Sequence, residues 1–302
     1  MKLTFLGTGT SHGVPVIACD CAVCKSSDSK DKRTRSSAYI QIDSKDNSHK
    51  YILIDVGPDF RTQALRENIR QIDAVLLTHS HADHLHGIDD LRNFSCIMSN
   101  KPDNPQNKKY DRPPIPFYTN EGTASDIKHR FNYLFSEKAF GGGHAKISLN
   151  PVAKTFTFDT IKITPVPMMH GPLETAGWLL TENTPEGPRS IAYLTDCNYI
   201  SDESIELIHK ECGLENGGRL VHLVIDGLRI KEHSTHFSFL QALEVSEKIG
   251  GDHIWFTHLT HNSSHIQTTA YIEEHRAEFP GLATALSILP AYDGLSISTV
   301  AE

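Results

Sequence analysis

The stretch LLTHSHADHLHG, Leu76 to Gly87, gathers four histidines, two hydroxyls and one aspartate into a single short segment. The preceding IDAVLLT reads as a strand ending at Thr78, which puts the ionisable residues on a loop at a sheet edge. In an extended loop side chains alternate with a period of two, so His79 and His81 project to the same side. Asp83 and His84 then fall at the start of a following helix and point back into the same space. Imidazole nitrogens with a carboxylate suit zinc, iron or manganese. One small ion cannot take all of these ligands. The histidines two apart face one ion, and the adjacent Asp–His pair faces a second.

Two ions need more ligands from later in the chain. His170 in VPMMHG, Asp196 in AYLTDC and His258 in WFTHLTH each follow an apolar run, where a strand delivers its last residue to a sheet edge. Four separate strand ends carrying ligand-type residues outweigh the alternative of solvated loop histidines.

The chain of 302 residues carries 37 acidic against 29 basic residues, a formal net charge of −8. That balance argues against a broad nucleic-acid footprint, which is a basic face, but admits a small anionic substrate held by bound metals. No run approaches the roughly 18 apolar residues of a membrane helix. MKLTFLGTGTSHG at the start reads as a first strand and not as a secretory segment, so a cytoplasmic location and no membrane partner are expected.

Short apolar or alternating runs recur as expected strands: KLTFLG, SAYIQI, KYILIDVG, DAVLLT, IPFYT, TFTF, IKITPVP, GWLLT, SIAYLTD, LVHLVID, HIWFTH and LSIS. Helical patterns are read at 59–68, 83–94, 124–135, 201–210, 237–249 and 268–279. Ser201 is the expected cap of one, and the glycines after Ile249 stop another. Strands in direct succession, with helices only between some of them, indicate an α/β protein of mixed sheets with helices packed outside. Residues 99–116, with five prolines, read as an insertion loop, a lid or an oligomer contact. The chain carries no evident repeat or linker, and one domain over 1–302 is expected.

Three of the six cysteines cluster as CDCAVC: Cys19, Cys21 and Cys24. In a chain read as cytoplasmic this spacing indicates a metal before a disulfide. Three thiolates are one ligand short of a closed tetrahedral zinc site. His261, three residues after His258 in THLTH, is the chosen fourth ligand, with His12 a weaker candidate.

THSHADHLHG resembles the His-x-His-x-Asp-His signature of the metallo-β-lactamase superfamily, and the order of the later ligands is similar. The resemblance implies an αββα sandwich of two mixed β-sheets flanked by helices. It further implies that His79, His81 and His170 hold one ion, that Asp83, His84 and His258 hold the other, and that Asp196 bridges them. LIDVGPD matches the Asp-x-Gly strand end of the superfamily, which makes Asp55 an orienting residue more than a ligand. The cysteine cluster after GTG, the THLTH tail and AYDGLSI near the end resemble the PhnP-like branch, phosphoribosyl cyclic phosphodiesterases. A pyrroloquinoline quinone biosynthesis branch shares the cysteine cluster.

These resemblances imply two divalent catalytic ions (zinc, manganese or iron) plus one structural zinc. The implied activity is cleavage of a small, cyclic phosphodiester by a metal-bridging hydroxide. HSTHFSFLQALE offers His233 and His236, and by resemblance His236 is the general acid or phosphate contact. Asp226, at the end of LVIDG, is read as supporting the site, and Arg92 as solvated. The alternatives are a tRNA 3′-end endonuclease, which HST resembles, and a non-hydrolytic metal-binding protein of cofactor assembly. A homodimer is admitted.

Overall fold

The computed structural model describes residues 1–97, 110–111, 113–136 and 144–300. Among them run sixteen strands in chain order. The first four are β1 (Lys2–Gly7), β2 (Ser37–Asp43), β3 (His49–Ile54) and β4 (Ala74–Leu76). A small ribbon follows, β5 (Cys96–Ile97) with β6 (Tyr110–Asp111), then β7 (Ile115–Thr119) and β8 (Ile147–Pro151). Next come β9 (Phe156–Phe158), β10 (Ile161–His170), β11 (Leu173–Thr184), β12 (Gly187–Leu194), β13 (Arg219–Asp226), β14 (His253–Thr257) and β15 (Ser287–Pro290). The last strand is β16 (Ser296–Ser298).

Two seven-stranded sheets result. Their orders are β16-β1-β2-β3-β4-β7-β8 and β15-β14-β13-β12-β11-β10-β9. In each, one half is antiparallel and the other parallel, so both sheets are mixed. The alternation in the sequence becomes the layering of the fold. In β3 and β4, Ile52, Ile54, Ala74 and Leu76 face the second sheet, whose Trp178, Leu180, Ile191 and Tyr193 share that core. Leu53 and Val75 face the other way, toward Phe60, Leu85 and Ile88. The outer face of the second sheet packs Leu179, Ala192 and Leu223 against Ile205, Ile208 and Leu243. Both faces are covered, which is the αββα sandwich expected from the sequence.

The helices are α1 (Phe60–Arg66), α2 (Ala82–Leu85), α3 (Arg92–Ser95), α4 (Glu121–Arg130), α5 (Asp202–Cys212), α6 (Phe239–Ile249) and α7 (His265–His275). Ser201 caps α5 through the Ser204 amide, as expected. Ser238 and Ser264 close capping boxes with Gln241 and Gln267 at the starts of α6 and α7. Each box satisfies two otherwise orphaned backbone donors and pins the segment before the helix.

The helix expected over 83–94 is instead broken into α2, a 3-10 turn at Ile88–Leu91, and α3. The cause is a close backbone approach between Gly57 and Gly87. A Cβ on Gly87 would lie 2.1 Å from the Gly57 carbonyl oxygen, and one on Gly57 would lie 2.0 Å from that of Asp83. The Gly87 amide donates to Val56 and the Val56 amide to His84, so the loop after β3 is laced to the histidine loop. The helix expected over 124–135 starts earlier, at Glu121, capped by Asn120. Of the expected 99–116 insertion, 99–109 and 112 lie outside the described residues. Tyr110–Asp111 and Ile115–Pro116 are paired strand. Among the described residues no helix is long and apolar enough to cross a membrane.

Candidate metal centre

Strands β3, β4, β10, β12, β13 and β14 run in one direction and deliver their carboxyl ends to a single edge of the sandwich. Open α/β sheets collect ligands at such an edge. The residues brought there are Asp55 after β3, His79 to His84 after β4, His170 ending β10, Asp196 after β12, Asp226 ending β13, and His258 after β14. The first sheet supplies Asp55 and the histidine loop, and the second supplies the rest.

Strand β4 ends two residues sooner than expected, at Leu76, and Leu77 and Thr78 belong to the loop. The His79 and His81 rings lie 4.5 Å apart, and each also faces His170, at 5.5 and 5.1 Å. The ligand atoms of His79, His81 and His170 converge within 4.8 Å of one another. Those of Asp83, His84, Asp196 and His258 do the same, as do those of Asp196, Asp226, His236 and His258. Asp196 and His258 thus belong to two overlapping groups, and the sequence-derived set assembles from both sheets. His79 Nε2 is fully buried with no hydrogen-bond partner among the described residues. A buried imidazole nitrogen left unpaired is costly in a protein interior unless something fills its lone pair. The donor set of imidazoles and carboxylates fits divalent zinc, manganese or iron.

Hydrogen bonds fix the orientation of these side chains. His84 Nδ1 donates to Asp55 Oδ2 at 2.7 Å, which turns Nε2 toward Asp196 Oδ2 at 3.1 Å and Asp83 Oδ2 at 3.3 Å. The Thr78 amide and hydroxyl also donate to Asp55. His170 Nδ1 donates to the Thr235 carbonyl at 2.7 Å. The Thr195 hydroxyl donates to Asp196 Oδ1 and the Thr175 hydroxyl to the Asp196 carbonyl. Metal-ligating histidines in general are held through their other ring nitrogen in this manner. Asp55 and His258 both adopt left-handed backbone, φ of 58° and 61°, a strain of roughly 1–3 kcal/mol that non-glycine residues accept at functional sites.

The electrostatics divide the histidines. Burial drives His79 well below its ordinary range and lowers His81 and His170, so these three favour neutral imidazole. Burial opposes charge on His84 and His258 as well. There the carboxylates win: Asp196 and Asp83 raise His84 well above its ordinary value, and Asp196 pushes His258 up to about 10. Burial would raise Asp83 and Asp196, yet the positive partners His84 and His258 hold both carboxyls below their usual range.

His236 is buried beside this group, with Nδ1 donating to Asp226 Oδ2 at 2.6 Å. Its ring stacks on His258 at 4.6 Å and meets His170 at 4.5 Å. The Cys197 amide donates to the same Asp226 oxygen, so Asp226 holds both His236 and the segment after Asp196. Cys197 itself is buried, and burial raises its thiol well above the ordinary value.

The cysteine cluster forms a second site that also spans the sheets. The Sγ atoms of Cys19, Cys21 and Cys24 lie 3.3, 3.4 and 3.4 Å from His261 Nδ1. The Cys24 amide and His261 lower the Cys21 thiol to about 6, while burial pushes Cys24 up to about 11. Three sulfurs and one imidazole suit tetrahedral zinc. His12 is exposed and stands outside this cluster. The two sites are joined by backbone: the Leu259 amide donates to Thr8 and the Thr10 amide to Leu259, one residue from His258 and two from His261.

Several positioning residues carry no recognisable pattern in the sequence. Asn198 donates to the Ser234 carbonyl, Arg130 to the Ser80 carbonyl, and Thr175 and Thr195 hold Asp196. Only adjacency to a ligand marks Thr78 and Thr195. Arg92 is exposed, as expected.

The family model for the beta-lactamase superfamily domain matches residues 50–259. The crystal structure of a new diphosphatase from the PhnP family is similar to this chain, 36% identical with a TM-score of 0.73, over 98% of this chain and 97% of that one. Zinc-bound PqqB from Methylobacterium extorquens has the same fold at 18% identity, a TM-score of 0.71 and coverage of 99% and 100%. An octanoyltransferase of Porphyromonas gingivalis (strain ATCC BAA-308 / W83) is 36% identical over 266 residues, 87% of this chain but 46% of that protein. The exodeoxyribonuclease YycJ of Bacillus anthracis is 26% identical over 158 residues, 51% of this chain and 48% of its own. The chain spans less than half the length of these curated relatives. With the fold, the family model and the full-length PhnP match in agreement, the chain belongs to the beta-lactamase superfamily of metal-dependent hydrolases and, within it, to the PhnP family.

Proposed function

We propose that the protein is a dinuclear metal-dependent phosphohydrolase acting on a small anionic substrate, a cyclic phosphodiester or a diphosphate. The observation that carries this reading is the convergence of two adjoining ligand groups, His79–His81–His170 and Asp83–His84–Asp196–His258, whose His79 and His84 rings lie 4.4 Å apart. The identity to a PhnP-family diphosphatase over nearly the whole chain supports the substrate class. Divalent ions held by these residues would supply an acidified water at neutral pH and would neutralise charge on phosphoryl oxygens.

The residues of the chain do the remaining work. Asp55 and the Thr235 carbonyl fix the rings of His84 and His170 so that each presents its other nitrogen inward. Asp226 accepts the Nδ1 proton of His236, so His236 Nε2 is the atom that carries the exchangeable proton. In the imidazolium form His236 gives that proton to a leaving oxygen. A positioned acid of this kind contributes about 10²–10⁴-fold. Cys19, Cys21, Cys24 and His261 would hold a structural zinc, which positions the segment bearing His258.

A nucleic-acid substrate is the second reading, favoured by the partial match to the exodeoxyribonuclease. The net charge of −8 weighs against it, because gripping a polynucleotide takes many basic contacts. The transferase name belongs to a protein more than twice as long as the matched segment, and transfer of an acyl group is not proposed for this chain.

The test is metal analysis of the purified protein followed by a panel of bis(p-nitrophenyl) phosphate, ribose cyclic phosphates, diphosphates, thioesters and lactones. Three ions per chain and turnover confined to the phosphodiesters and diphosphates are expected. In the same assay His236→Ala lowers kcat by about 10²–10⁴-fold with metal content unchanged. Turnover confined to thioesters or lactones overturns the substrate class.

A further inference from the structure

We infer that His233 is a substrate-contacting residue that donates its Nε2–H to an oxygen on the leaving-group side, selecting substrates that carry a second phosphoryl group there. This rests on the phosphohydrolase reading of the site. The His233 ring lies 5.4 Å from that of His236, which lies 4.5 and 4.6 Å from His170 and His258. His233 is therefore the outermost ring of a row that begins at the candidate ligands. A group protonated by His236 leaves on that side, and the next ring outward is His233.

The proton on His233 is placed by its neighbour. The Thr235 amide, which can only donate, points at His233 Nδ1 at 3.3 Å. Nδ1 is thus the acceptor and Nε2 carries the hydrogen. That Nε2 has no hydrogen-bond partner among the described residues, and the side chain is exposed.

The backbone around it is fixed in a way a merely solvated histidine does not need. Arg229 donates to the carbonyls of Lys231 and Glu232, Asn198 to that of Ser234, and His170 to that of Thr235. The Leu228 amide closes the base of the loop on Phe237. The carbonyls on both sides of His233 are held by side chains, so little freedom remains to be lost when a ligand meets the ring.

The experiment measures binding by calorimetry to the metal-loaded protein, with inorganic phosphate and methylenediphosphonate, a diphosphate analogue whose P–C–P bridge cannot be hydrolysed. His233→Ala is expected to weaken methylenediphosphonate by about 10- to 100-fold, the loss of one hydrogen bond to a charged oxygen, while phosphate binding stays unchanged. His233→Gln, whose amide reaches the Nε2 position, recovers most of the loss. Equal affinity of the wild type and His233→Ala for methylenediphosphonate overturns the inference. So does an equal loss for both ligands, or failure of the wild type to bind methylenediphosphonate. Hydrolysis of the phosphodiesters and diphosphates of the panel is scored separately: its absence in the wild type removes the phosphohydrolase reading, while the binding comparison still judges His233.

Discussion

His84 and His258 are buried and each faces carboxylates, and their raised pKa values set the proton traffic of metal loading. Ligation requires neutral imidazole. The carboxylates favour the imidazolium form of both rings in the metal-free protein, with His258 raised to about 10, so loading must expel protons. Metal affinity therefore rises with pH through the neutral range toward 10. Calorimetric titration in two buffers of different ionisation enthalpy is expected to report proton release; a buffer-independent heat would refute the ion-pair picture. The sign for folding is the opposite. A raised folded pKa contributes stability that is complete below the ordinary histidine value and fades as pH climbs through about 10, so the metal-free protein weakens at the alkaline end.

Among the elements, the strand ends explain why so much of the site was legible in sequence. Apolar runs end where the pleat reaches the sheet edge, and His170, Asp196, Asp226 and His258 stand at those ends. The cysteine spacing and the choice of His261 were legible for a similar reason, since one short loop cannot close a tetrahedron alone. What escaped were the edge strands β8 and β15, short segments whose one open side tolerates polar residues and so blurs the alternation. The break in the expected 83–94 helix also escaped, because it depends on the approach of Gly57, a long-range contact with no local signal. The carbonyls that hold His170 and carry His233 likewise follow from loop closure and not from any pattern of residue types. At this scale His261→Ala is expected to remove one of three metal ions per chain and to lower the thermal midpoint by several degrees. Elemental analysis alongside calorimetry checks it; full metal content in the variant would assign the cysteines another role.

At the scale of the molecule the two sheets repeat one pairing plan, antiparallel on one side and parallel on the other, although the sequence shows no repeat. Neither half owns a whole chelate. Cys19, Cys21, Cys24, His79, His81, Asp83 and His84 follow strands of the first sheet, while His170, Asp196, His258 and His261 follow strands of the second. Cations seated in both clusters would act as rivets through the sandwich, tying the folding of each leaf to that of the other. Stripping them with a chelator is expected to lower the melting temperature and broaden the transition as the leaves come apart in separate steps; an unaltered single transition would refute the coupling. A cell short of metal would then lose this protein as a folded object and not only as a catalyst.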